Sequence, residues 1–504
     1  MLSTMTIINI NHLTFGYDQL GTLLFDDAQL IIDEQWKLGL VGRNGRGKTT
    51  LLKLLQHQLP YQGSIHHTLE FVYFPLAIHD PTQLTYYALQ EHSDSELWQM
   101  ERELNLLECD PEVLWRPFET LSGGEQTKVL LANLFTEEGR FPLIDEPTNH
   151  LDVVGRQQVA RYLRRKKQGY ILVSHDRRFL DETVDHILAI EKSQLVLYQG
   201  NFSTYEEQKA RQDAFEQAQN IKLKKEISRL QQTAREKAAW SASRETDKLN
   251  KSTGFIDTEY RRVSPGAIGA DAARMMKRSK AILQRVEGQI GEKEKLLKNI
   301  ETIDGLSMCW EPSHHQRLIQ VEDLRLAFDG QVLFEKIRFE LNRGECLAIT
   351  GKNGSGKSAL VQALIGSFPG EWSGNIFLPK GIVISYVRQK YEDNHGTLQE
   401  FALREGLDYS IFLGNLHKLG MERNVFENRI EQMSMGQRKK IELAKSLSQP
   451  ADLYIWDEPL NYLDVFNQQQ IVQLIQRVRP SMLVIEHDQH FVEAVSTKQI
   501  HLGG

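Results

Sequence analysis

"WKLGLVGRNGRGKTTLLKLLQ", residues 36–56, passes through three local patterns. "KLGLV" is a short apolar run that reads as a buried strand, and "TTLLKLLQ" has the spacing of an amphipathic helix. Between them, "GRNGRGKT" at 42–49 fits G-x-x-x-x-G-K-[ST]. A glycine loop entering a helix N-terminus turns backbone N–H groups and the positive end of the helix dipole toward one point, which suits phosphate. Strand, glycine loop and helix together predict an α/β phosphate-binding unit.

The unit occurs twice. "GKNGSGKS" at 351–358 stands 309 residues after the first loop, between "ECLAITG" and "SALVQALI". "LSGGEQTKVLLA" from Leu121 returns as "MSMGQRKKIELA" from Met433, and "LIDEPTNHLD" ending at Asp152 returns as "IWDEPLNYLD" ending at Asp464, each 312 residues on. "LVSHD" with His175 returns as "VIEHD" with His487 at the same offset. Four motifs in one order at a near-constant offset are an internal duplication.

The chemistry follows from residue type. Asn44, Gly45, Gly47 and Thr50 flank the first phosphate cradle that opens at Gly42, and Asn353, Gly354 and Gly356 flank the one that opens at Gly351. Lys48 and Lys357 would neutralise the outer phosphates, and Thr49 and Ser358 would offer a hydroxyl to Mg²⁺. Asp145 and Asp457 end apolar strands and suit the metal's shell. Glu146 and Glu458 follow, where a carboxylate can orient or deprotonate an attacking water. His175 and His487 end the next apolar strands and are expected at the γ-phosphate. These residues imply ATP and Mg²⁺ and an ATP hydrolase.

With "LSGGE" added, the chain resembles a tandem ATP-binding-cassette protein. The resemblance implies head-to-tail pairing of the cassettes, with ATP held between the loop of one and the signature of the other: Ser122, Gly123 and Gly124 against the second loop, Ser434 and Gly436 against the first. It also implies adenine-stacking aromatics, Tyr17 and Phe328, and a glutamine at the metal and water. Gln389 fits that place, whereas the first copy has Leu76, which can neither bind metal nor polarise water. Met435 replaces a signature glycine. Both departures fall in the first site, so the second is expected to turn over faster, unless Met435 is a tolerated variant.

The 504 residues carry a net charge of -7, with 40% hydrophobic and 25% charged residues, the composition of a soluble multidomain protein. No apolar run approaches the roughly 20 residues of a membrane span. No export signal is visible, and Cys109, Cys309 and Cys346 match no metal spacing, so reduced thiols in a cytoplasmic protein are expected. Residues 221–300 contain 19 Lys and Arg against 10 Asp and Glu, a local +9 on an otherwise acidic chain. Such a segment suits an acidic partner.

Within it, Leu223, Ile227, Leu230 and Ala234, then Leu283, Val286, Ile290, Leu297 and Ile300, keep a heptad-like spacing. Two helices in an antiparallel hairpin are expected, each of roughly 35 residues and about 50 Å. Gly254, Pro265, Gly266 and Gly269 break the pattern and mark a tip near 243–270. The expected domains are a first cassette at 1–200, a hairpin linker at 201–316 and a second cassette at 317–504. Phe255, Tyr260, Arg261, Arg262, Arg274, Lys277, Arg278 and Lys280 form the candidate contact set for RNA, by phosphate pairing and base packing. A plain charged spacer fits the composition as well.

Two cassettes with a charged helical linker resemble the ABC-F translation factors. "VLWRPFETLSGGE", "LYIWDEPLNYLDVFN" and "GAIGADAARMMKRSK" are similar to its Lsa-type antibiotic-resistance members. The resemblance implies a monomer with intramolecular cassette pairing that enters the exit-tRNA site of the ribosome with ATP bound. There it would meet 23S-type rRNA and initiator or peptidyl tRNA, displace lincosamides, streptogramin A compounds or pleuromutilins, and leave on hydrolysis. A housekeeping translation factor is the alternative. A tandem ATPase subunit of a membrane importer is a second, but it needs no basic hairpin between its cassettes.

Overall fold

In the computed structural model, residues 7–17, 23–137, 139–149, 151–251, 305–352 and 354–502 are described. Asn353 and the tip residues Phe255, Tyr260, Arg261, Arg262, Arg274, Lys277, Arg278 and Lys280 lie outside them, as does the expected second helix of the hairpin. The chain divides into two units, Met1–Tyr205 with Ile303–Gly504, and Glu206–Thr302.

The first unit contains both cassettes, built alike. In the first, a six-stranded sheet runs Glu70–Phe74, Arg140–Asp145, Tyr170–Val173, Lys37–Val41, His186–Glu191 and Gln194–Gln199. All neighbours are parallel except the last pair. The second orders Ile384–Val387, Leu453–Asp457, Met482–Ile485, Cys346–Gly351 and Lys498–Leu502, all parallel. Parallel strands need both faces covered, and their near-continuous apolar runs show it. "LYIWD" at Leu453–Asp457 is buried throughout.

One face of each sheet packs on a three-stranded antiparallel sheet, with the helix after the glycine loop between them. In the first cassette Leu51, Leu52, Leu54 and Leu55 of helix Lys48–Leu55 join Ile8, Ile10 and Leu13 in that core. The helix therefore cannot shift without opening a core, and the loop at its start is held equally firmly. The other face packs on a helical arm carrying the signature, Gly123–Leu134 in the first copy and Met435–Ser448 in the second.

Two expected boundaries move. Helix Phe202–Lys251 has 50 residues, not 35, and runs through 243–251, where the tip was expected. The stretch "SASRETDKLNK" holds neither Gly nor Pro, so nothing in it stops a helix before Gly254. The linker also ends earlier than residue 316. Leu306 is buried among Phe412 and Leu416, and the Cys309 N–H donates to Leu447 O at 2.9 Å. Trp310 bridges Ala451 as a short parallel ladder. The largely apolar Leu-Ser-Met-Cys-Trp run at 306–310 is better buried than exposed, and it packs with the second cassette.

Candidate active site

The first glycine loop takes its shape from Gly45 at φ 85° and Gly47 at φ 95°, a left-handed backbone that costs glycine little. A Cβ on Gly47 would also lie 3.2 Å from the Phe25 ring. Lys48 is buried, with Nζ donating to Gly42 O at 2.8 Å and Asn44 Oδ1 at 3.1 Å. Burial holds its pKa below the ordinary lysine value. In the second loop Gly354 and Gly356 have φ 78° and 86°, and Lys357 Nζ donates to Gly351 O at 3.0 Å.

Asp145 accepts hydrogen bonds from the Thr49 hydroxyl at 3.0 Å and from Tyr73 OH at 2.9 Å. Glu146 follows at φ 54°, with its N–H donating to Val173 O at 2.9 Å. A glutamate in the left-handed region is strained by about 1 kcal/mol or more, and here it turns the carboxylate into the cavity. His175 Nε2 lies 3.3 Å from Glu146 Oε1. Burial, with Asp145 beside it, raises the Glu146 carboxyl to about 8. Burial and the Lys48 ammonium lower His175 to about 3.

The second site repeats this with differences. Glu458, at φ 48°, accepts at Oε2 from both Gln389 Nε2 at 2.9 Å and Asn461 Nδ2 at 2.7 Å, which fixes that oxygen and leaves Oε1 to face the site. His487 Nε2 is 3.7 Å from Glu458 Oε1 and burial lowers its pKa to about 4. Asp457 is fully buried, burial raises it to about 6, and the Ser358 hydroxyl offsets part of that rise. Both Asp457 oxygens lack a complete hydrogen bond. A buried carboxylate short of partners beside a serine hydroxyl suits a hard divalent cation. The equivalent carboxylate in the first site is engaged by a tyrosine.

Each loop faces the signature of the other cassette. A cavity of about 790 Å³ joins Lys48, Thr49, Asp145, Glu146 and His175 to Ser434, Gly436 and Lys440. A second, of about 610 Å³, joins Lys357, Ser358, Gln389, Glu458 and His487 to Gly123. Ser122 and Ser434 cap their helices, each accepting from the N–H three residues on at 3.3 Å. Ser122 and Gly124 line neither cavity.

Three expected details differ. Tyr17 packs edge-on to Phe15, its OH lies 3.2 Å from Thr50 Oγ1, and Leu24 lines the first cavity in its stead. Phe328 does line the second. The Met435 side chain does not enter the first cavity: it is 41% exposed, and only its neighbours Ser434 and Gly436 line the wall. Leu76 points into the core of the arm, while Tyr73, Phe74 and Pro75 line the cavity. Register supports its equivalence to Gln389, since Tyr73 pairs with Leu143 as Tyr386 pairs with Ile455, and each position lies three residues on.

Sequence reasoning did not assign Tyr73, Arg156, Asp464 or Lys440. Asp464 had a signal, because it ends a motif repeated 312 residues apart. Arg156 had none, since its counterpart is Gln468.

The sequence pattern of the ABC transporter family matches residues 25–149 and again 334–461, together half of the chain. The chain belongs to the ABC transporter family. It is an ATP hydrolase with two cassettes of that family, and likeness to ABC-F proteins extends along nearly all of it. The ribosome protection protein VmlR of Bacillus subtilis is 28% identical, over 99% of this chain and 87% of its own. The energy-dependent translational throttle protein EttA of Mycobacterium tuberculosis is 27% identical, over 94% and 88%. Among solved structures, the archaeal recycling factor aABCE1, in complex with the stalk protein aP1, superposes with a TM-score of 0.62 at 19% identity. It covers 98% of this ABC protein and 87% of the archaeal chain, which shows the shared fold.

Proposed function

We propose that this protein is a ribosome-associated ABC-F ATPase of the cytoplasm that protects the peptidyl-transferase centre from lincosamides, streptogramin A compounds and pleuromutilins. The observation that carries this reading is the 50-residue helix Phe202–Lys251, about 75 Å long, placed between two complete cassettes. An importer subunit has no use for so long a helix between its cassettes in sequence, and among the described residues no helix is long and apolar enough to cross a membrane. The relatives named for ribosome protection and for translational throttling support the same reading.

In this reading ATP closes the two cassettes within one monomer. Lys48 and Lys357 hold the outer phosphates, and the signatures complete each pocket. Thr49 with Asp145, and Ser358 with Gln389 and Asp457, would hold Mg²⁺, which shields phosphate charge when bound. Glu458, fixed by Gln389 and Asn461, orients the attacking water and accepts its proton, and Glu146 does so more slowly at the first site. His175 and His487, kept neutral by burial, donate or accept a hydrogen bond at the γ-phosphate. Closure lets the protein enter the exit-tRNA site beside rRNA and tRNA, and hydrolysis releases it.

The test is co-sedimentation of the Glu146→Gln/Glu458→Gln variant with ribosomes, beside the same variant lacking residues 250–266. ATP-dependent pelleting of both, with translation protected from lincomycin only by the longer one, supports resistance. Pelleting without protection by either favours the housekeeping reading that likeness to the throttle protein raises. No pelleting in any nucleotide state overturns both.

A further inference from the structure

Three groups outside the nucleotide sites meet on the first cassette. His79 follows the Leu76 segment, and Glu91 and His92 follow helix Thr85–Leu89 on the helical arm. His79 Nδ1 lies 3.0 Å from Glu91 Oε2, and one ligand atom each of His79, Glu91 and His92 fall within 4.8 Å of one another. A surface His–Glu pair needs no second imidazole, yet one stands there, its ring centroid 6.4 Å from the first.

The second imidazole is oriented. His92 Nε2 lies 2.7 Å from Ala77 O, and a carbonyl only accepts, so Nε2 carries the proton and Nδ1 keeps its lone pair. Histidines that bind metals commonly donate their other N–H to a carbonyl, which fixes the ring and its tautomer. The His92 backbone is held too, its carbonyl accepting from Arg140 Nη1 at 3.1 Å, and Arg140 pairs with Glu137 at 2.9 Å. Two imidazoles and a carboxylate are the donors of three-ligand zinc sites, with water in the fourth place. Ligand atoms about 2.0–2.1 Å from a tetrahedral ion sit about 3.3 Å apart, so the His79–Glu91 pair at 3.0 Å needs little adjustment and the His92 atom closes in from within 4.8 Å.

We propose that His79, Glu91 and His92 bind one divalent transition-metal ion of the zinc class. The ion fastens residues 77–79, just past Leu76, to the start of the helical arm. Tyr73, which donates to Asp145, lies one residue before the end of the strand from which that segment leaves. The clamp thus lies next to the first nucleotide site without forming part of it.

The test titrates tag-free, full-length protein with Co²⁺, read by visible absorption, and with Zn²⁺, read by calorimetry. One equivalent should bind with a tetrahedral Co²⁺ spectrum, and Zn²⁺ should displace it. His79→Ala and His92→Ala should each weaken binding at least tenfold. Glu91→Gln keeps the side-chain shape and should do the same, which guards against an unfolded alanine variant. His57→Ala/His67→Ala removes a separate exposed pair, with Nε2 atoms 3.2 Å apart, and should leave the affinity unchanged. Equal affinity in the wild type and in Glu91→Gln, loss only with the His57 and His67 pair, or no stoichiometric binding would each overturn the site.

Discussion

The backbone N–H of Asn44 donates to Asp464 Oδ2 at 2.7 Å, across 420 residues of chain. Asn44 Nδ2 also donates to Tyr462 O at 3.0 Å, so the first glycine loop is tied to the second cassette before any substrate is considered. Burial works to raise Asp464, but buried Lys440, the Asn44 N–H and Lys48 outweigh it and hold the carboxyl below its ordinary range.

Asp464→Asn tests that tie. Asparagine still caps helix Val465–Val478, as Asp464 does through the Asn467 N–H at 2.9 Å, so the fold should persist. The variant leaves Lys48 and Lys440 facing each other without their shared anion. A hydrogen bond to a charged group is worth about 1.5–3 kcal/mol, so closure around the first site should weaken at least tenfold. Binding of a fluorescent ATP analogue in a Lys357→Ala background reads that site; unchanged affinity would show that the tie is dispensable.

Glu146 makes the nucleotide-free protein sensitive to alkali. A carboxyl raised from 4.5 to about 8 on folding favours the fold fully below 4.5 and loses that contribution as pH rises through about 8. Glu146→Gln removes the loss, so its melting temperature should exceed wild type at pH 8.5 by about 1 °C or more and converge near pH 5. His175 and His487, lowered to about 3 and about 4, act on the other side. Their contribution is present above 6.5 and is lost as pH falls toward those values. Calorimetry from pH 5 to 8.5 separates the two effects.

What the sequence made legible follows from what phosphate demands. A cradle of N–H groups needs glycine at positive φ, so Gly45, Gly47, Gly354 and Gly356 announce themselves, and duplication marks Asp145, Glu146 and His175 with their partners. Partners that lie hundreds of residues away leave no such trace. Asp464 is visible as a repeated letter, but its hold on Asn44 is not. Tyr17 has the right spacing for an adenine stacker, yet the edge of Phe15 and Thr50 claim it. The linker helix outran its expected end because absence of Gly and Pro is a weaker signal than their presence.

Leu76 and Gln389 separate the two sites. Gln389→Leu removes the 2.9 Å bond to Glu458 and should cut steady-state hydrolysis at least about tenfold, the scale of losing an oriented general base. Leu76→Gln, assayed in the Glu458→Gln background, should raise the residual rate severalfold if the glutamine turns from the core to the cavity. Leu76 packs partly in the core of the arm, so a melting temperature lowered by a few degrees accompanies the gain. Equal effects of Glu146→Gln and Glu458→Gln on turnover would sink the asymmetry.

Arg156 gives the second site a cation from the other cassette. Its Nε donates to Leu151 O at 3.1 Å, as Gln468 Nε2 donates to Leu463 O at 3.2 Å in the matching helix. The guanidinium then does what glutamine cannot: Nη1 pairs with Asp176 at 3.0 Å, and Arg156 lines the cavity with Lys357 and His487. Its charge helps keep His487 neutral, after burial and Lys357. Arg156→Gln preserves the carbonyl bond and removes the cation, leaving Asp176 facing Asp488. Turnover should fall several-fold with the acid limb of its pH profile moved upward, because His487 then protonates more readily. Arg156→Lys should restore part of both, since a point charge replaces the fork. A drop in melting temperature with an unshifted pH profile would reduce Arg156 to an ordinary ion pair.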